Sequence, residues 1–195
     1  MNFHPFLRLA NLLTFSRLLL TLPFFFFFRA KLMLPAAIIF GLAALTDYLD
    51  GIIARKQGVT SFGSFMDSIV DKILVGTALI SFYLFQPEHL DDGVSLIPIW
   101  MVLVILGREV IVTVLRILCV AKHGEVISAN RWGKYKTTSQ VIVITISLVL
   151  LVFFENSQYV VQPHGPIYFM MYLPLVLTVA SGLEFVYGNR KAFTV

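Results

Sequence analysis

The chain alternates between long apolar stretches and short polar breaks. About 20 mainly apolar residues form a helix long enough to cross a bilayer, and six stretches approach or exceed that length. They are residues 11–29, 33–56, 62–86, 96–120, 135–155 and 165–188. Glycine, proline and charged residues occupy the breaks, as is typical of loops. The pattern therefore predicts an all-α fold, in which residues 1–195 form a single membrane domain built as a bundle of six transmembrane helices.

The composition favours a membrane protein over a soluble one. Hydrophobic residues make up 58% of the 195 positions and charged residues only 13%, whereas a soluble domain carries about 25% charged residues. This excludes a soluble enzyme and a disordered chain. The net charge of +4 is more typical of cytoplasmic loops that face anionic lipid than of nucleic-acid binding. The run of phenylalanines at residues 24–28 is expected to contact lipid.

The distribution of basic residues predicts the orientation of the bundle. With both termini in the cytoplasm, the inner segments contain Arg8, Arg55, Lys56, Lys122, Arg131, Lys134, Lys136, Arg190 and Lys191, and the outer loops contain only Arg29 and Lys31. Basic residues favour the cytoplasmic side of a membrane. Both termini are therefore expected in the cytoplasm.

Charged residues within the first four predicted helices are concentrated near the cytoplasmic ends. They are Arg17, Asp47, Asp50, Asp67, Asp71, Lys72, Arg108, Glu109 and Arg116. An ionised group at the centre of a bilayer costs about 2.5–3.5 kcal/mol or more. These groups are therefore expected to face one another around a hydrophilic pocket that opens to the cytoplasm.

Two pairs of aspartates are the strongest candidates for chemistry. Asp47 and Asp50 are three residues apart, and Asp67 and Asp71 are four apart, so each pair lies on one helix face. A turn near Gly58 is expected to bring the two helices together. Four converging carboxylates repel one another unless cations bind between them. Oxygen ligands without nearby histidine or cysteine favour magnesium, manganese or calcium.

Small residues and one arginine accompany the aspartates. Gly51 and Ala54 lie on or beside the face of the first pair, and Gly63 lies one turn before Asp67. Small residues let a ligand approach the backbone, and in membrane helices they also permit close packing. Arg55 is placed to meet an anion. Cation or proton transport is an alternative, although a transporter usually places its acids near the bilayer midplane.

The order of these residues resembles a family signature. Over residues 47–71, the pattern Asp-x2-Asp-Gly-x2-Ala-Arg followed by Gly-x3-Asp-x3-Asp is similar to that of the CDP-alcohol phosphatidyltransferases. These are membrane enzymes that make phospholipid head groups. The segment between the Ala-Arg pair and the second glycine is one residue shorter than is usual in the family. All eight signature residues are nevertheless present.

The resemblance covers residues 11–192 and is strongest to the bacterial phosphatidylglycerophosphate synthases within the family. Matching segments lie at residues 11–17, 107–116, 133–137 and 181–187. The resemblance implies transfer of a phosphatidyl group from CDP-diacylglycerol to glycerol 3-phosphate, with release of CMP. It also implies a homodimer in the inner membrane of a bacterium, with the active site facing the cytoplasm.

The resemblance further implies a role for each candidate residue. Two Mg²⁺ or Mn²⁺ ions would be held by Asp47, Asp50, Asp67 and Asp71, of which Asp71 would also be the catalytic base. CDP-diacylglycerol would contact Asn11, Thr14, Gly51, Ala54, Arg55 and Gly63. Glycerol 3-phosphate would contact Arg108, Arg116, Lys134 and Lys136.

Alternatives remain for the acceptor site. Arg108 and Arg116 lie two turns apart on one helix face, and an ion pair with Glu109 or Glu184 would also account for them. The two lysines also fit ordinary anchoring at the cytoplasmic surface. Serine, an inositol phosphate or phosphatidylglycerol is an alternative acceptor.

Overall fold

The computed structural model describes residues 9–57, 61–86, 95–123, 131–154 and 157–188, and their regular secondary structure is entirely helical. The long helices are α1 (Leu9–Arg29), α2 (Met33–Gln57), α3 (Ser61–Leu84), α4 (Ile99–His123) and α5 (Arg131–Phe154). Two short helices, α6 (Gln158–Val161) and α7 (Pro166–Met170), precede α8 (Tyr172–Gly188). The predicted all-α fold is confirmed for this part of the chain.

The first five predicted segments each correspond to one long helix, whose ends differ from the prediction by four residues or fewer. The sixth is divided at Met171 into α7 and α8. Pro174 has no amide hydrogen to donate to Met170, so a helical hydrogen bond is missing at the division. Met171 still donates to the carbonyl of Ile167 at 3.1 Å, and Leu175 donates to that of Met171 at 3.2 Å. The chain therefore continues in nearly the same direction.

The long helices form a closed ring of contacts. In order around the ring, α1 packs against α2, α2 against α5, α5 against α8, α8 against α4, α4 against α3, and α3 against α1. A further contact joins α3 to α5 across the ring. Helices distant in sequence therefore meet, and α4, α5 and α8 come together on one side.

By length and composition, two stretches of the described chain could cross a membrane: Tyr135–Phe154 within α5, and Tyr159–Gly188, which includes α7 and α8. The bundle also has large apolar side chains exposed on every long helix. Examples are Leu22, Leu42, Ile80, Leu103, Ile146 and Leu183. An apolar surface this extensive is typical of a membrane interaction site. Both chain termini lie outside the described residues, so their cytoplasmic orientation stays a prediction.

The phenylalanine run is divided between the core and the surface, and the expectation that all of it faces lipid is wrong. Phe24 and Phe28 are 0% and 1% exposed, whereas Phe26 is 66% exposed. Residues four apart lie on the same helix face, which here is the face that α1 turns toward its neighbours. The ring centroids of Phe28 and Phe82 lie 5.6 Å apart, as do those of Phe24 and Phe40. These rings join α1 to α2 and α3.

Phe28→Ala is expected to destabilise the protein far more than Phe26→Ala. Truncation of Phe28 leaves a cavity among buried rings and costs about 3–5 kcal/mol, whereas Phe26 loses little contact. Thermal unfolding of both variants in the same detergent measures the difference. Equal melting temperatures for the two variants would show that the buried rings do not hold the helices together.

Candidate active site

A buried arginine on α1 contacts one aspartate from each of the next two helices. Arg17 is 0% exposed, and its Nη1 lies 3.0 Å from Oδ1 of Asp47 on α2. The same nitrogen donates a hydrogen bond to Oδ1 of Asp71 on α3. The aspartate side chains are 38% and 28% exposed. The arginine is therefore enclosed by the bundle, while both carboxylates remain accessible.

Packing of the neighbouring residues on α1 fixes the position of Arg17 along the axis of the bundle. Thr14, one turn earlier on α1, is buried, and the hydroxyl of Thr21, one turn later, donates to the carbonyl of Arg17 at 3.0 Å. Because α1 packs against both α2 and α3, one guanidinium can reach an aspartate on each. Sequence reasoning placed Arg17 near the pocket but gave it no role. The sequence feature that could have indicated a role is the position of Arg17 inside an apolar helix, where a charged side chain needs oppositely charged partners.

The carboxylates of Asp47 and Asp71 fit a divalent cation. Both reach one nitrogen atom, so their oxygens lie close together, and carboxylate oxygens are the ligands that Mg²⁺ and Mn²⁺ prefer. Asp50 follows Asp47 by one turn of α2, and Asp67 precedes Asp71 by one turn of α3. The side chains of Asp50 and Asp67 lie outside the described residues. Among the side chains that are described, no three potential metal ligands come together.

The other candidates for donor binding lie on the same three helices. Asn11 belongs to α1, Gly51, Ala54 and Arg55 belong to α2, and Gly63 belongs to α3. The surroundings of these five residues lie outside the described part of the structure. Their predicted contacts with a nucleotide-linked lipid stay predictions.

A second charged cluster joins α4 to α5. Oε1 of Glu109 on α4 accepts a hydrogen bond from Nζ of Lys136 on α5 and one from Nη1 of Arg108 at 3.2 Å. The side chains of Arg108, Glu109 and Lys136 are 16%, 11% and 7% exposed. The suggested ion pair between Arg108 and Glu109 is therefore present. Among the described contacts, two cationic side chains therefore share the carboxylate of Glu109.

The two clusters are neighbours. Asp71 lies on α3, and Lys136 lies on α5. These two helices contact each other across the ring. Arg116 lies two turns after Arg108 on α4, and Lys134 precedes Lys136 on α5. The side chains of Arg116 and Lys134 lie outside the described residues.

The last helix supports the second cluster at a glycine. A Cβ atom on Gly182 of α8 would lie 3.1 Å from Cγ and 3.3 Å from Nε of Arg108. Beside it, Ser181 is buried and donates to the carbonyl of Thr178 at 3.0 Å. Gln140 on α5 donates to the hydroxyl of Thr178 at 3.3 Å. Sequence reasoning missed the contact at Gly182, because no sequence pattern indicates which side chain crosses a glycine.

Comparison with known proteins identifies the family. A sequence profile for CDP-alcohol phosphatidyltransferases matches residues 7–180. A Bacillus subtilis (strain 168) protein named CDP-diacylglycerol–glycerol-3-phosphate 3-phosphatidyltransferase is 39% identical over 160 residues, which are 82% of this chain and 75% of the relative. A Mycobacterium tuberculosis protein named as a probable phosphatidylglycerophosphate synthase is 35% identical over 190 residues, which are 92% of this chain and 80% of the relative.

A shorter match involves a protein with a different name. A protein from Oryza sativa subsp. japonica, named cardiolipin synthase (CMP-forming), is 36% identical over 116 residues, which are 56% of this chain and 35% of the relative. No solved structure matches the chain significantly. The profile covers most of the chain and includes the whole acidic pattern of residues 47–71. The chain therefore belongs to the CDP-alcohol phosphatidyltransferase family of enzymes.

Proposed function

We propose that this protein transfers the phosphatidyl group of CDP-diacylglycerol to glycerol 3-phosphate, giving phosphatidylglycerophosphate and CMP. Family membership supports the reaction class, and the names of the Bacillus and Mycobacterium relatives support the acceptor. The observation that carries the proposal is the meeting of Asp47 and Asp71 at Arg17, on helices that also contact α5, where Lys136 and Arg108 of α4 share one carboxylate. One cluster suits a metal-bound diphosphate and the other suits a phosphorylated acceptor.

Members of the family generally depend on divalent metal ions. Two ions, Mg²⁺ or Mn²⁺, are assigned to Asp47, Asp50, Asp67 and Asp71. When bound, they neutralise negative charge on the diphosphate and on departing CMP. Arg17 contacts two of these carboxylates, and its charge reduces the repulsion between them.

The donor site is assigned to the cytoplasmic halves of the first three helices. Its residues are Asn11, Thr14, Gly51, Ala54, Arg55 and Gly63. Arg55 suits the diphosphate, because a guanidinium forms paired hydrogen bonds with phosphate oxygens. The acyl chains stay in the bilayer, which avoids an extraction cost of about 0.8 kcal/mol per CH₂.

Asp71 is assigned as the general base. Its carboxylate removes the proton from the primary hydroxyl of glycerol 3-phosphate, and the hydroxyl oxygen attacks the phosphorus that carries diacylglycerol. The bond from this phosphorus to the CMP oxygen then breaks. The hydrogen bond from Arg17 fixes the orientation of Asp71. No covalent intermediate with the enzyme is required.

The acceptor phosphate is assigned to Arg108, Arg116, Lys134 and Lys136. Glu109 holds two of these cations, so they are oriented before the acceptor binds. A guanidinium and an amine that share one carboxylate keep other N–H groups that can donate to a phosphate dianion. This favours a phosphorylated acceptor over serine.

The location follows from the two substrates. One is a lipid and the other is soluble, so the reaction suits an integral membrane protein whose pocket opens to water. The exposed apolar side chains on every long helix support insertion of the whole bundle. We assign the protein to the inner membrane of a bacterium, with both termini and the active site on the cytoplasmic side. A single domain and a homodimer are also part of the proposal.

An assay of acceptors one at a time tests the reaction. Purified protein with CDP-diacylglycerol, Mg²⁺ or Mn²⁺ and radiolabelled glycerol 3-phosphate is expected to give a labelled, lipid-soluble product and CMP. Phosphatidylglycerol is the main competing acceptor, because a cardiolipin synthase is among the relatives. Product from phosphatidylglycerol, serine or inositol phosphate but not from glycerol 3-phosphate would overturn the proposed acceptor.

Asp71→Asn is expected to lower kcat at least a hundredfold, because an amide cannot accept the hydroxyl proton. Binding of CDP-diacylglycerol, measured by calorimetry, should be partly retained. Asp92→Asn, in the acidic stretch between the third and fourth helices, is the matched control and should keep wild-type turnover. Normal turnover in Asp71→Asn would reject Asp71 as the base.

Arg17→Gln is expected to make folding depend more strongly on divalent cations. Without the guanidinium, Asp47 and Asp71 repel each other, and bound Mn²⁺ replaces the missing charge. The melting temperature should fall sharply in EDTA and recover in part when Mn²⁺ is added. Arg29→Gln is the control, since Arg29 donates to the carbonyl of Leu84 at 3.0 Å, away from the aspartates. An equal loss for Arg17→Gln with and without Mn²⁺ would contradict a metal site at these carboxylates.

A further inference from the structure

The proposed reaction does not use the close contact between Gly182 and Arg108. A Cβ on Gly182 would meet three atoms of the arginine, Cγ at 3.1 Å, Nε at 3.3 Å and Cδ at 3.8 Å. Ordinary van der Waals contact begins at about 3.4 Å. The arginine stem therefore occupies the space that any larger residue on α8 would need.

The arginine cannot move away cheaply. Cγ lies near the start of the side chain, so displacing it requires a rotation that moves the guanidinium, three bonds farther out, by a larger distance. The hydrogen bond from Arg108 Nη1 to Glu109 Oε1 already measures 3.2 Å, at the long end of the normal range, so lengthening it further would weaken it. Arg108 Nε is buried and has no hydrogen-bond partner within the described residues. Glu109 is thus the main polar contact that the described structure gives this guanidinium.

The last helix, α8, is also held in place, so it cannot easily move away from Arg108. Thr178 and Ser181, on the turn that leads to Gly182, are buried, and Gln140 of α5 donates to the Thr178 hydroxyl. Phe185, on the following turn, is also buried. A side chain at position 182 would therefore displace the arginine rather than α8.

We infer that Gly182 is a positioning residue for the acceptor site: the absence of a side chain there lets Arg108 cross α8 and present its guanidinium, held by Glu109, to the acceptor phosphate. This rests on the proposed function, in which Arg108 binds that phosphate. The size of the residue at position 182 then sets the affinity for glycerol 3-phosphate and leaves the metal-bound donor unaffected.

Gly182→Ala tests the inference through separate kinetic constants. The KM for glycerol 3-phosphate is expected to rise about tenfold, as for a misplaced charged hydrogen bond. The KM for CDP-diacylglycerol and kcat should change less than twofold. Gly76→Ala is the matched control, because its Cβ would also meet a side chain within 3.4 Å, Leu106 Cδ2 at 3.3 Å, with no charged group involved. An unchanged KM for glycerol 3-phosphate in Gly182→Ala, or an equal rise in the control, would overturn the inference.

A double-mutant cycle separates positioning from general packing. In an Arg108→Ala background, Gly182→Ala should have no further effect on the KM for glycerol 3-phosphate, because the side chain that it displaces is gone. If Gly182→Ala raises the KM for glycerol 3-phosphate by the same factor in both backgrounds, its role is purely structural and the inference is overturned. If Gly182→Ala does not fold, the double variant should be recovered as well as Arg108→Ala alone, since the clash is removed. Failure of the double variant to fold would show that the clash lies elsewhere.

Thermal stability tests the inference independently of the proposed function. It is measured for the wild type, Gly182→Ala, Arg108→Ala and the double variant. Melting temperatures should show that Gly182→Ala destabilises the wild type more than the Arg108→Ala background, whatever the acceptor. A wild-type protein without activity toward glycerol 3-phosphate would overturn the proposed function. Additive melting temperatures would overturn the positioning of Arg108 by Gly182.

Discussion

The contact of one buried arginine with aspartates on two other helices is the interaction on which the rest of the site depends. Arg17 contacts Asp47 on α2 and Asp71 on α3, so a single guanidinium fixes three helices relative to one another. A charge removed from water is costly without such partners. The contacts that stabilise Arg17 also hold together two carboxylates that would otherwise repel each other. Bundle stability and the geometry of the proposed metal site therefore have the same origin.

Much of the fold follows from the sequence, because the length of each apolar stretch determines the helix that it forms. The first five helices agree with the prediction to within four residues. The division at Met171 was not predicted, since a break of one residue hardly changes the apolar pattern. The burial of Phe24 and Phe28 was also missed. A run of identical residues has no periodicity, so its inward face depends on where the neighbouring helices lie.

The candidate site was predictable where it depends on spacing along one helix and unpredictable where it depends on packing between helices. The two aspartate pairs could be assigned because residues three or four apart share a helix face. The contact of Arg17 with Asp71, the bridging by Glu109 and the close approach at Gly182 each join different helices or depend on their relative height. The relative positions of the helices along the bundle axis result from side-chain packing around the ring. A single sequence does not directly indicate this packing.

The two halves of α1 have opposite surroundings. Arg17 lies among carboxylates, whereas Phe24 and Phe28, two to three turns farther along, pack against Phe40 and Phe82. A cavity that admits a hydrated phosphate at one surface of a membrane needs a barrier toward the other surface, because ions and protons would otherwise leak through. In the proposed reaction, the packed rings would form that barrier among the first three helices. Under the proposed function, this arrangement would let the enzyme bind highly charged reactants inside a bilayer without dissipating the electrochemical gradient across it.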